Sequence, residues 1–215
     1  YRDYFAVPLV LIGAGGIGSN VLPMLVKMGF PHLTIWDDDR IEPINLQMQH
    51  FSAGDVGMRK VRALAHLAKR LNPKIKVHAR GEQFTERDPL DGIDVAGVDS
   101  MKSRNLIFES VCRHRDKIPL YIDGRFARGE YSEFIDLYAI EPCDEKQVEL
   151  YREWLYDDEE AHHAPRSEKV TAHVPYILSG LIGTVLARWL EGGSHPWKVT
   201  HDATTLHIEQ YFVAN

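Results

Sequence analysis

The chain has 215 residues, 44% hydrophobic and 26% charged, with a formal net charge of -6, a globular composition long enough for one large core. The acidic balance, with no Lys/Arg block longer than three residues, excludes the electrostatic footprint of a nucleic-acid or anionic-membrane binder. Two distant cysteines, Cys112 and Cys143, exclude a disulfide framework and suit a reducing cytoplasmic setting, and no apolar run is long enough to span a bilayer.

The run from Pro8 to Ile12 is short, continuous and apolar, and breaks at Gly13, which predicts a strand buried on both faces. A helix follows, with Ile17, Val21, Leu22 and Leu25 at helical spacing and Gly29 as its C-terminal cap. The next strand, His32 to Trp36, runs into three aspartates. After a polar, irregular stretch, Lys60 to Leu71 carries an apolar stripe and stops at Asn72-Pro73, the mark of an amphipathic helix. Strands are expected at Ile75 to Ala79, Ile93 to Val98 and Leu120 to Ile122, with a helix from Ser103 to Arg115 between the last two. Glu133 to Ile140 has strand character. Residues 142–168 read as a mobile crossover connection holding one short helix, and Val174 to Leu190, apolar nearly all round, as a fully buried helix. Trp197 to Val199 and Leu206 to Val213 close the chain as an antiparallel pair. The alternation predicts a single α/β domain over residues 1–215 with a largely parallel sheet and an antiparallel C-terminal extension.

Gly13-Ala14-Gly15-Gly16-Ile17-Gly18 is a G-x-G-x-x-G that follows a strand and opens a helix, where unpaired amides and the positive helix end hold phosphate. Gly13, Gly15 and Gly18 are expected to tolerate no bulky side chain. Asp37 lies 24 residues after Gly13 at a strand end, where a carboxylate accepts hydrogen bonds from ribose. These features serve NAD and ATP equally well.

The continuation separates the two. Asp37, Asp39, Asn45, Leu46, Gln49, Gly57 and Lys60, followed by Asp94 to Asp99 and Arg104-Asn105, resemble the ThiF/MoeB/HesA family, relatives of the ubiquitin-activating enzymes, and the resemblance covers most of residues 8 to 126. It implies a Rossmann-like, doubly wound fold and ATP-dependent adenylation of the C-terminal carboxylate of a ubiquitin-like or sulfur-carrier-like protein ending in glycine, in a homodimer or heterodimer. It further implies that Lys60 contacts the phosphates, Asp99 holds Mg2+ at the β- and γ-phosphates, Asn45 and Gln49 orient the triphosphate, and Asp37 holds the ribose. Attack of a carboxylate on an α-phosphate needs such cations, because negative charge grows on the phosphate and on the departing pyrophosphate.

The chain departs from the family pattern at two places. Met48 stands where the family carries an arginine, and a thioether cannot replace a guanidinium; Arg40, Arg59 or Arg2 are the candidates to supply that charge, Arg2 because related enzymes lend an amino-terminal arginine across a dimer interface. The nucleophilic cysteine that many relatives carry before the late helix is missing, with Ser167 or Thr171 in that region and Cys143 as an alternative nucleophile. Cys143 also matches the start of a zinc-binding pair, but Lys146 occupies the second position, so no structural zinc site is expected. Cys112 is expected in the core, and His162-His163 in solvent or, with Asp157 or Glu160, on a metal. Asp123-Gly124-Arg125-Phe126 resembles the segment lining the groove for the partner's tail, making Arg125 and Arg128 candidates for its terminal carboxylate. Two further readings compete: a catalytically degraded family member that binds a ubiquitin-like protein or a sister subunit, and a nicotinamide-dependent oxidoreductase, for which the Asn45 to Lys60 segment has no use.

Overall fold

The computed structural model describes residues 7–129, 131–157 and 170–213. Its centre is one eight-stranded sheet in the order β3-β2-β1-β4-β5-β6-β7-β8. Strands β1 (Leu9–Ile12), β2 (His32–Trp36), β3 (Lys76–Arg80), β4 (Ile93–Ala96) and β5 (Leu120–Arg128) pair in parallel, and β6 (Glu133–Ile140), β7 (Lys198–Asp202) and β8 (His207–Tyr211) continue antiparallel. Helices α1 (Gly18–Met28), α2 (Lys60–Leu71) and α5 (His173–Leu190) bury Val21, Leu64 and Leu178 against one face. Helices α3 (Met101–Arg113) and α4 (Glu145–Arg152) bury Phe108 and Tyr151 against the other. Residues of β1 are buried on both faces, as a central parallel strand requires. This is the Rossmann-like arrangement, and the order reverses between β1 and β4, where such sheets open a crevice at the carboxyl ends of their strands.

Gly29 ends α1 in the left-handed region (φ 98°), its amide bonded to the Val26 carbonyl. Three expectations need correction. Strand β5 runs on to Arg128, because its polar half pairs residue for residue with β6. Helix α5 is buried on one side only: Tyr176, Gly180, Thr184 and Arg188, at four-residue spacing, form an exposed stripe. The first part of the crossover is firmly docked, for the Asp144 carboxylate caps α4 and Tyr151 is fully buried; residues 158–169, with His162, His163 and Ser167, lie outside the described residues. Among the described residues no helix is long and apolar enough to cross a membrane.

Candidate functional site

A cleft of about 900 Å3 opens at the carboxyl ends of β1, β2 and β4. Its floor is the glycine loop. The backbone demands glycine at two positions: a Cβ on Gly18 would lie 1.9 Å from the Gly13 carbonyl oxygen, and one on Gly13 (φ +96°) 2.6 Å from that of Gly97. Gly15 behaves differently from the expectation, since a Cβ there meets nothing nearer than Gln49 Nε2 at 4.0 Å. Gly15 therefore presents open backbone to the cleft. Gly16 is roofed by a movable side chain, its Cβ position falling 2.9 Å from Phe126 Cζ.

Asp37 braces this loop. Its carboxylate accepts hydrogen bonds from the amides of Ala14 (2.7 Å) and Asp39 (2.9 Å). Burial raises its pKa, while nearby Lys60 and the two amides work in the opposite direction. Neighbouring Asp38 and Asp39 complete an acidic cluster, but Asp39 pairs with Lys60 Nζ at 2.7 Å. Lys60 is nearly buried at the start of α2 while Asp39 is exposed, so the ammonium is held at the cleft wall from its solvent side.

The segment from Asn45 to His50 folds over the loop and is clasped by two residues that the sequence did not single out. Ser19 Oγ donates to the Gly15 carbonyl (2.6 Å) and accepts from the His50 amide (2.9 Å). Asn20 Nδ2 donates to the carbonyls of Gly16 and Met48, both at 2.7 Å. The available signal was two polar residues at positions of α1 that are buried. Asn45 holds the short 3-10 turn Pro43–Gln47 through its Oδ1, which accepts from the Glu42 amide at 2.9 Å. Gln49 lines the cleft with its Oε1 buried and without a hydrogen-bond partner, an acceptor awaiting a donor. The Met48 methyl lies 3.7 Å from the Gly16 Cβ position, so a thioether faces the loop where a guanidinium was expected.

The other arginine candidates are engaged elsewhere. Arg59 donates to the carbonyls of Asp38 (2.8 Å) and Gly81 (2.9 Å), and Arg40, at the cleft, to that of Gly57 (2.8 Å). Arg2 lies outside the described residues. Asp99 follows β4 as an exposed carboxylate on the cleft wall.

Arg125 and Arg128 part company because successive strand residues point to opposite faces. Arg128 lines the cleft, with Phe126. Arg125 faces the other side: Nε bonds Asp123 Oδ2 (2.6 Å), Nη1 the Trp154 carbonyl (2.8 Å) and Nη2 the Tyr151 hydroxyl (3.2 Å), while the guanidinium stacks on Tyr138 at 4.5 Å. Arg125 was expected to meet a partner's carboxylate; here its donors hold Asp123, Trp154 and Tyr151. Its counter-ion, Asp123, is fully buried and also binds Arg104 and the Tyr151 hydroxyl (2.9 Å). Arg104 in turn bonds the carbonyls of Val98 and Gly124, fixing the turn that carries Asp99.

Cys143 sits at the wrong end of the sheet. The register Tyr121↔Ile140 puts the end of β6 beside the start of β5, and the thiol contacts the Arg115 carbonyl at 3.5 Å, far from strand ends that form the cleft. Cys112 packs on the second core, where burial raises its pKa.

Comparison with known proteins agrees with this architecture. Over 69 residues the chain is 41% identical to an adenylyltransferase and sulfurtransferase, UBA4, of Yarrowia lipolytica (32% of this chain, 17% of that one). It is 34% identical over 118 residues to a SAMP-activating enzyme E1 of Haloferax volcanii (52% and 43%). The chain thus spans less than half the length of these relatives. The crystal structure of E. coli MccB with ATP superposes over 99% of this chain and 66% of that one, with a TM-score of 0.74 at 19% identity, a likeness of fold. The ThiF family model matches residues 2–211, and the chain belongs to the ThiF family.

Proposed function

We propose that the cleft binds ATP and adenylates the C-terminal carboxylate of a ubiquitin-like or sulfur-carrier-like protein, giving an acyl-adenylate and pyrophosphate. The observation that carries this reading is the open backbone of Gly15 just before α1, facing the same cleft as the Lys60 ammonium. Amides at a helix start bind phosphate, and an ammonium beside them offsets the charge that grows as pyrophosphate leaves. Asp37 keeps the loop open and retains acceptor capacity for ribose hydroxyls. Lys60 leaves Asp39 for the phosphates when ATP enters. The exposed Asp99 is a hard oxygen donor on the cleft wall and fits a magnesium ion, which would supply charge neutralisation on the triphosphate. Arg128 and Phe126 border the path for the partner's tail. A dimer, as the family resemblance implies, is part of the same proposal.

Met48 over the loop favours a second reading, a family member that binds a ubiquitin-like protein or a sister subunit without turnover. ATP and pyrophosphate exchange with partners ending in glycine decides between them. Exchange that depends on partner and magnesium, and is lost in Asp99→Ala, supports adenylation. Its absence with a partner that demonstrably binds refutes it, and exchange retained in Asp99→Ala removes that residue's role.

A further inference from the structure

Outside the residues already assigned, one cluster combines a hydroxyl, an imidazole and a carboxylate at hydrogen-bond distance. Thr171 Oγ1 donates to Glu133 Oε2 at 2.9 Å and lies 2.6 Å from His173 Nδ1, and the same carboxylate oxygen is 3.7 Å from His173 Nε2. Glu133 Oε1 accepts the Thr171 amide at 2.6 Å, and the Glu133 backbone is held by β6 and by Thr204. The amide bond to Glu133 alone would serve to tether the start of α5. The hydroxyl adds a second bond, donating to the other oxygen of the same carboxylate, and an alcohol held on a carboxylate is the arrangement by which a base activates it.

The cluster also stands next to the cleft, one residue removed from its lining. Val170, the preceding residue, lines it, and Glu133 is paired across the β5/β6 register with Arg128, another lining residue. Thr171 and His173 are exposed, so an acyl group can reach them.

We infer that Thr171 is an acyl acceptor that takes the activated carboxylate from the adenylate as an oxygen ester; this rests on the adenylation reading above. The Thr171 Oγ1 to acyl-carbon bond forms, the bond from acyl carbon to phosphate oxygen breaks, and AMP leaves with the electron pair. The hydroxyl proton passes along its existing hydrogen bond to Glu133 Oε2. His173 flanks the same hydroxyl oxygen and faces Glu133 as well, so both groups order the reacting oxygen. No oxidant or further reactant is needed, and the product is an ester that thiols do not reduce.

The test bypasses the adenylation step by supplying the mixed anhydride of acetyl-Gly-Gly with AMP to the full chain. The expected result is a one-to-one adduct by intact mass, localised to Thr171 by peptide sequencing, stable to dithiothreitol and cleaved by hydroxylamine. Thr171→Val keeps the backbone amide bonded to Glu133 and loses the adduct, Thr171→Ser keeps the adduct, and Glu133→Gln slows its formation by about a hundredfold. Cys143→Ser leaves it unchanged. No adduct, an adduct on another residue, or acylation that persists in Thr171→Val overturns the inference. Pyrophosphate exchange, measured separately, reports on adenylation alone, so either idea can fail while the other stands.

Discussion

Asp94 is the most informative residue for stability. It lies in β4 between Val10 of β1 and Tyr121 of β5, is fully buried, and neither carboxylate oxygen has a hydrogen-bond partner among the described residues. Burial, aided by the negative charge of Asp91, raises its pKa well above 3.8. The protonated form therefore belongs to the fold and the ionised form to the unfolded chain. With a raised folded-state value, the stabilisation from this group is complete below the unfolded value and is lost as pH rises through the folded one. The loss reaches about 1.4 kcal/mol per pH unit while the two states differ by a whole proton. Asp94→Asn has nearly the same shape and does not titrate. Its stability relative to the parent should climb with that slope above about pH 4 and then level off once the parent's carboxyl ionises in the fold. Urea unfolding followed by tryptophan fluorescence at half-unit pH steps measures the difference directly. Two curves that run parallel across the range would refute the reasoning.

Asp123→Asn should be the most damaging single change near the site, since it leaves Arg104 and Arg125 without their buried counter-charge; a loss of about 3–5 kcal/mol is expected in urea unfolding. Lys60→Met preserves the apolar stem but removes the cation facing the cleft, so pyrophosphate exchange should fall by about a hundredfold or more with little change in melting temperature. Met48→Arg places a guanidinium over the glycine loop and should tighten ATP binding by about tenfold in calorimetry, the effect of one charge-assisted hydrogen bond; an unchanged affinity would show that the loop needs no second cation there.

The sequence revealed the fold wherever local pattern and tertiary environment agree. The apolar β1, the glycine loop and the Gly29 cap are examples, because buried strands, tight loop packing and left-handed caps leave narrow residue choices. It misled where a polar residue is buried by a distant partner. Asp123 to Arg125 looked like the end of a strand, whereas the hairpin to β6 and the Arg104 ion pair carry the strand through them. Parity along β5 separates Arg125 from Arg128, and it depends on a register that only the folded sheet defines. Cys143 could be placed in a loop but not at an end of the sheet, since that depends on the direction of β6. Ser19 and Asn20 were passed over because their partners include the His50 amide and the Met48 carbonyl, about thirty positions downstream.

The Asp123 carboxylate joins two regions that otherwise belong to different jobs. Through Arg104 it reaches the Val98 turn beside Asp99, and through Arg125 and Tyr151 it reaches Trp154, within the crossover just after α4. A pull on the crossover, whether by a docking protein or by a substitution at residues 151–154, is thereby transmitted to the wall of the cleft proposed to bind ATP. Selection for altered nucleotide handling should accordingly recover changes on the far face of the sheet, in side chains that never touch the ligand.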